Sequence, residues 1–299
     1  MTTRIGDLVH SHRLTGNILQ IQARVRDAQA DIASGTRAQR WSELADRAGF
    51  LAATRQERAL VERLAAENDK VLGRLNTMDA TLGSLGELAQ RFRTLLVARL
   101  GEPGPSTLPL DQEIEQMASE LAGLLNRQLD GRYLFAGSRT DAPPVELPEP
   151  LPTVADPTLY YKGDAVELAV RADVGVEIAY GVTAAAAPFA QLIGALGRAH
   201  AAHLANDRAG LEQALDVAAA SIEGIAAERA RVGVTAARLE GILEGQRGAL
   251  VRLDELIAGV AETDLAEATT RLARDQAALE ASYLVTARLY QTSLAEYLR

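Results

Sequence analysis

Apolar residues recur along this chain at alternating steps of three and four, with charged residues between them. Near the start, Leu14, Ile18, Ile21, Val25, Ala28 and Ile32 form one such row. These steps place side chains on one face of an α-helix. Gly35 then stops the row, as a glycine just past a helix C-terminus does. A second row runs Val61, Leu64, Asn68, Val71, Leu75, Met78, Leu82, Leu85, Ala89, Phe92 and Leu96. Its one polar member, Asn68, predicts a seam with a fixed register, because a lone polar residue there specifies its partner at a cost in stability. The stretch GEPGPSTLP at 101–109 breaks this helix. A third helix follows on Leu110, Ile114, Met117, Leu121 and Leu125, and is expected to end near Gly131.

The longest row runs from Leu211 through Leu215, Ala218, Ile222, Ile225, Arg229, Val232, Ala236, Leu239, Leu243, Gln246, Leu250, Leu253 and Ile257 to Val260. A helix of that length is roughly 75 Å long at 1.5 Å per residue, which predicts a rod. Gly224, Gly233, Gly241, Gly245 and Gly248 interrupt it and predict close helix approach or bends. Leu265, Ala268, Leu272, Leu279, Tyr283, Leu289 and Leu294 mark a last amphipathic helix. The acids Glu262, Asp264 and Glu267 suit its positive N-terminal end.

Residues 141–187 break the helical pattern. DAPPVELPEPLPT is proline-dense and extended. Beyond it, Val166, Leu168 and Val170, then Val174, Val176 and Ile178, alternate with polar or small residues, and KGD and ADVG read as turns. This predicts two or three antiparallel strands inserted in a helical chain. The run VTAAAAPFAQLIGALG holds Pro188 and reads as a loop leading into a helix, not as a membrane span. Just before the insert stands GRYLFAGSRT at 131–140. Gly131 and Gly137 supply turn freedom, and Tyr133 and Phe135 are expected to plug the end of the helical bundle.

The chain has 299 residues and 47% hydrophobic content, but only 4% aromatics, which suits long helices packed through narrow aliphatic seams. The net charge of -9 argues against nucleic-acid binding, which needs a basic footprint. The absence of cysteine excludes disulfides, cysteine-ligated metals and cysteine nucleophiles. The first residues, MTTRIGDLVHSHRLTGNILQ, hold no continuous apolar core of a cleaved signal peptide.

Candidate chemistry is sparse. His10 and His12 lie on different helix faces. His200 and His203 share one but lack a third ligand for a metal. GILEG at 241–245 reads as a helix-packing motif. GEPGPS lacks the lysine and hydroxyl residue of a phosphate loop. No nucleophile–base set stands in local context, so neither an enzyme nor a cofactor is expected.

Three blocks resemble the flagellin family. ADIASGTRAQRWSELADRAGF at 30–50 is similar to the family's N-terminal helix, loop and second helix. LNRQLDGRYLFAGSRTDAPPV at 125–145 resembles the wording found in its hook-associated junction members; filament flagellins carry a turn centred on F-N-G there. EATTRLARDQAALEASYLVTARLYQTSLAEYLR at 267–299 is similar to the C-terminal helix. Two departures are Arg47 after Asp46, where members carry a second acid, and Ser293-Leu294-Ala295 for the usual S-L-L.

The resemblance implies a mainly α fold of long antiparallel helices, with the N- and C-terminal helices paired and the β insert at the surface. It divides the chain into an inner coiled-coil domain (1–42 and 265–299), a helical rod (43–140 and 187–264) and the insert (141–186). Leu14, Ile18, Ile21, Val25 and Ile32 would form one half of the assembly interface, and Leu272, Leu279, Leu289, Leu294 and Leu298 the other. Gly131, Tyr133, Phe135 and Gly137 carry the junction-type motif.

The implied function is structural: joining hook to filament outside the cell, after export without a cleaved signal. The implied partners are further copies in a ring, a neighbouring hook-associated protein, flagellin, and an export chaperone on the C-terminal helix. Neither nucleic acid nor membrane is implied. A filament-forming flagellin and an unrelated coiled-coil adaptor are the alternatives. The insert is too short for an active-site cleft, though it leaves room for a surface binding role. One terminal helix buries too little apolar surface to offset its ordering entropy, so residues 1–40 and 265–299 are expected to fold only on assembly.

Overall fold

The computed structural model describes residues 2–35, 48–101, 109–261 and 264–297. It is mainly helical: α1 (Thr2–Ser34), α2 (Ala48–Gly101), α3 (Leu110–Leu125), α4 (Ala187–Leu204), α5 (Arg208–Ala261) and α6 (Leu265–Tyr297). Two small hairpins lie between α3 and α4: β1 (Gln128–Leu129) with β2 (Arg132–Tyr133), and β3 (Leu168–Asp173) with β4 (Val176–Tyr180). The chain divides into two compact units, Met1–Ala59 with Leu250–Arg299, and Leu60–Ala249.

In the first unit α1 packs against α6. Gly35 closes α1 with φ +69, a conformation open to glycine at little cost, and its amide donates to the Asp31 carbonyl. Asp264 caps α6, accepting from the Ala266 and Glu267 amides. Glu267 pairs with Arg271 one turn on. Glu262 lies outside the described residues. The Arg58 guanidinium pairs with Asp254 in the same unit.

In the second unit α2 and α5 run side by side. Leu75, Met78, Leu82, Leu85, Ala89, Phe92 and Leu96 of α2, with Leu211, Ala214, Ala218, Ile225, Val232 and Leu239 of α5, are all buried in one core. The pairs Asp79–Arg229 and Asp69–Arg247 flank the seam and set the two helices antiparallel. Being exposed, such pairs guide register more than they stabilise. α3 and α4 pack on each other beside this seam.

Helix α3 stops at Leu125, short of the expected Gly131. The cause is Asn126, whose side-chain amide donates to the Val145 carbonyl while its oxygen accepts from the Val145 amide. Asp130 and Gly131 follow with φ +51 and +74, the positive pair that a two-residue hairpin turn requires. The run at 182–197 is mostly helix, since Pro188 sits in the first turn of α4, where its missing N–H costs nothing.

The proline-rich stretch is strapped over α4. A Cβ on Gly197 would collide with the Pro152 carbonyl, and one on Gly194 would meet the Val154 backbone at 2.8 Å. Arg198 Nη2 donates to the Thr153 carbonyl at 3.2 Å. On α5, Gly224 admits Pro188 closely, as expected of a packing glycine. Gly241 and Gly245 do not behave that way. Among the described residues nothing lies within 4 Å of a Cβ at either position, so GILEG does not pack closely against them.

Candidate assembly site: the terminal helix pair and the aromatic turn

The row of apolar residues on α1 meets α6. Ile21 and Ala28 are buried, while Leu14, Ile18, Val25 and Ile32 are half-buried. On α6, Ala268 is buried, and Leu272 and Leu279 are half-buried. Leu289 and Leu294 continue the helix, but their side chains, like all of Leu298, lie outside the described residues. Two cross-contacts run in opposite senses along the helices, as antiparallel pairing requires. Arg24 Nε lies 3.4 Å from Asp275 Oδ1, and Gln22 Nε2 donates to the Tyr283 hydroxyl at 2.6 Å. In this structure α1 and α6 are formed and paired within one chain; amide exchange on the free chain tests whether they fold only on assembly.

Asp275 was not singled out by the apolar spacing, although it sits at heptad spacing between Leu272 and Leu279. It is buried, and Ser282 and Thr286 continue its face at helical intervals, half-buried. Among the described side chains the α6 seam thus mixes Asp275, Ser282 and Thr286 with Leu272 and Leu279. Away from the seam, Leu19 on α1 and Leu284 on α6 are exposed, as is Val285, while Tyr283 is exposed at the edge of the pair beside Gln22.

The aromatic turn belongs to the second unit. Gly131 is exposed in its hairpin turn, and Tyr133 is half-buried on β2. Leu134, Phe135 and Ala136 are buried, and Gly137 with them. Phe135, rather than Tyr133, fills the core. Its ring meets Phe189 of α4 edge to face. The backbone of the same residues ties the insert at both ends. The Phe135 carbonyl accepts from the Ala184 amide at 2.8 Å, and the Ala136 carbonyl from the Asp164 amide at 3.2 Å. The buried Tyr160 hydroxyl donates to the Ala184 carbonyl at 2.9 Å, and burial raises its pKa further above the ordinary value.

Asp164 closes the clasp. Its carboxylate accepts from the Ser138 amide at 2.8 Å, the Ser138 hydroxyl at 2.5 Å and the Val166 amide at 3.1 Å. The Ser138 side-chain and backbone hydrogen bonds hold its pKa below the ordinary value. Gly137 takes φ +69, and a Cβ there would strike Asp164. The glycine is demanded twice, by conformation and by space.

Among the described residues no three His, Asp or Glu side chains gather as a metal would need. His203 Nε2 faces Asp111 Oδ1 at 3.3 Å, a tie between α4 and α3. His12 is exposed, and the His10 side chain lies outside those described. No described helix is long and apolar enough to cross a membrane.

Residues 5–140 match the model of the bacterial flagellin N-terminal helical region. The fold of this chain is shared by the FlgL of Bacillus cereus, with a TM-score of 0.52 at 20% identity over 63% of this chain and 99% of that one. It is shared also by a putative flagellar hook-associated protein of Vibrio parahaemolyticus, with a TM-score of 0.57 at 16% identity over 72% of this chain and 99% of that one. No curated protein sequence matches.

Proposed function

We propose that this protein is a structural component of the bacterial flagellum, a hook-associated subunit that joins the hook to the filament. The observation that carries the reading is the flagellin-type N-terminal region at 5–140, which ends in the aromatic turn and its glycine clasp. The two structural relatives, a FlgL and a putative hook-associated protein, support the same reading. The exposed Leu19 of α1 and Leu284 and Val285 of α6 supply apolar side chains for assembly.

On this reading residues 1–42 and 265–299 form the inner assembly domain, residues 43–140 and 187–264 the helical rod, and residues 141–186 a surface insert. Further copies of the chain, a neighbouring hook-associated protein and flagellin are its partners, and an export chaperone receives the C-terminal helix before secretion. The protein works outside the cell.

Electron microscopy of cells lacking the protein, with flagellin assayed in the medium, tests the proposal. Hooks without filaments, and flagellin shed into the medium, are expected. Intact filaments on the deletion strain would overturn it. Long polymers grown from this protein alone would assign it to the filament instead.

A further inference from the structure

Asn68 of α2 and Gln246 of α5 are both buried in the seam, where apolar side chains pack above and below them. Asn68 Nδ2 donates to Gln246 Oε1 at 3.0 Å. The two amides also converge on one backbone atom. Asn68 Nδ2 and Gln246 Nε2 each donate to the Ala172 carbonyl at 2.8 Å. Ala172 lies on β3 at a bulge: Arg171 pairs with Glu177 and Asp173 with Val176, which leaves Ala172 without a partner on β4. The extra residue turns its carbonyl out of the ladder. A buried carbonyl needs a donor. Here both donors come from the helix seam.

We propose that Asn68, Gln246 and the Ala172 carbonyl form a latch that makes the seating of the β3–β4 hairpin and the register of α2 on α5 a single event. The geometry works in one register only. A slip by one heptad would set Asn68 opposite Leu239 and Gln246 opposite Val61, burying both amides against aliphatic side chains and leaving Ala172 unsatisfied. The hairpin's buried face adds Val170, Ile178 and Tyr180 to the same core, so hairpin and seam exclude water together. Asn68 Oδ1 has no partner among the described residues, so the amide gains nothing in the seam beyond these contacts. The latch acts within one chain and does not depend on the flagellar reading.

Amide hydrogen exchange on the purified full chain, read by segment, tests it. In the double variant Asn68→Leu/Gln246→Leu the seam stays apolar and packed. Exchange across 168–180 is expected to rise about tenfold, because the carbonyl loses both donors. Unchanged protection of 168–180 would overturn the latch. The converse test releases the hairpin with Ile178→Asp. Exchange is then expected to rise at 61–71 and 239–249 and to stay put at 82–96. A hairpin that opens with no change at 61–71 would also overturn it. Should that variant fail to fold, Ile178→Ala makes the same demand with a smaller rise, and the same two outcomes decide.

Discussion

Phe135 and Phe189 meet edge to face, with ring centroids 6.3 Å apart and planes at 77°. One ring comes from the turn after the β1–β2 hairpin and the other from the first turn of α4, so the contact joins the two ends of the insert. Neither ring is exposed to solvent. Phe135→Ala is expected to cost about 3–5 kcal/mol, the usual penalty for removing a buried ring. Phe189→Ala is expected to cost a similar amount, and the double variant less than the sum, because the two share one contact. Denaturant unfolding of the three variants measures this.

Gly137 and Gly175 separate strain from collision. Both have positive φ, +69 and +76, but only Gly137 has a neighbour that a Cβ would strike. Gly175→Ala is expected to cost about 1–2 kcal/mol, the conformational penalty alone. Gly137→Ala adds displacement of Asp164 and should cost clearly more. Thermal unfolding of both proteins gives the comparison.

The Asp164 clasp also predicts a pH dependence. Its carboxyl is held below its ordinary value by the Ser138 hydrogen bonds. A group depressed in the folded state contributes stability that is fully present above its unfolded pKa, about 3.9 for aspartate. That contribution is lost as pH falls through the folded pKa. Acid titration of unfolding should therefore show a loss of stability below about pH 4 that is smaller in Asp164→Asn and in Ser138→Ala.

Helix rows were legible because burial writes a strict period into the sequence. From Leu75 to Leu96 of α2, every seam position read from spacing is buried. Asn68 was legible as an anomaly, but its partner was not. Gln246 lies far along the chain and Ala172 contributes only a carbonyl, which no side-chain pattern encodes. Asp130-Gly131 was a signal passed over: the pair announces a tight hairpin, yet strands of two residues are too short to show alternation. The strap over α4 was illegible for another reason. Gly194 and Gly197 look like helix defects until the chain that crosses them is known. Asp275 shows the reverse, since a charged residue in an apolar row is discounted until Arg24 is seen beside it.

Arg24 and Asp275 predict an asymmetric result in the terminal pair. Asp275 is nearly buried, its side chain 12% exposed, whereas Arg24 is 56% exposed. Removing the arginine strands a carboxylate in the seam. Arg24→Met should cost about 1–2 kcal/mol, less than a fully buried pair because water screens the guanidinium. Arg24→Met/Asp275→Leu should recover that loss, since an apolar seam needs no counter-charge. Amide exchange across 12–34 in the purified chain reads both.

Ile21 and Leu284 divide the terminal pair into an inner and an outer role. Ile21 is buried against α6, whereas Leu284 is 64% exposed on the far side. Ile21→Asp buries a carboxylate with no partner, and the pair should open in the isolated chain. Leu279→Asp should act in the same way from the other helix. Leu284→Asp changes an exposed side chain and should leave exchange across 12–34 unchanged. All three should still be exported, because an unpaired carboxylate in a terminal helix removes no export signal that depends on packing. On the flagellar reading all three should fail to enter flagella, the first two for want of a formed pair and the third for want of an exposed apolar contact. Immunoblots of the medium and of sheared flagella separate these steps. Normal incorporation of Leu284→Asp would mean that Leu284 is not buried in the assembled structure.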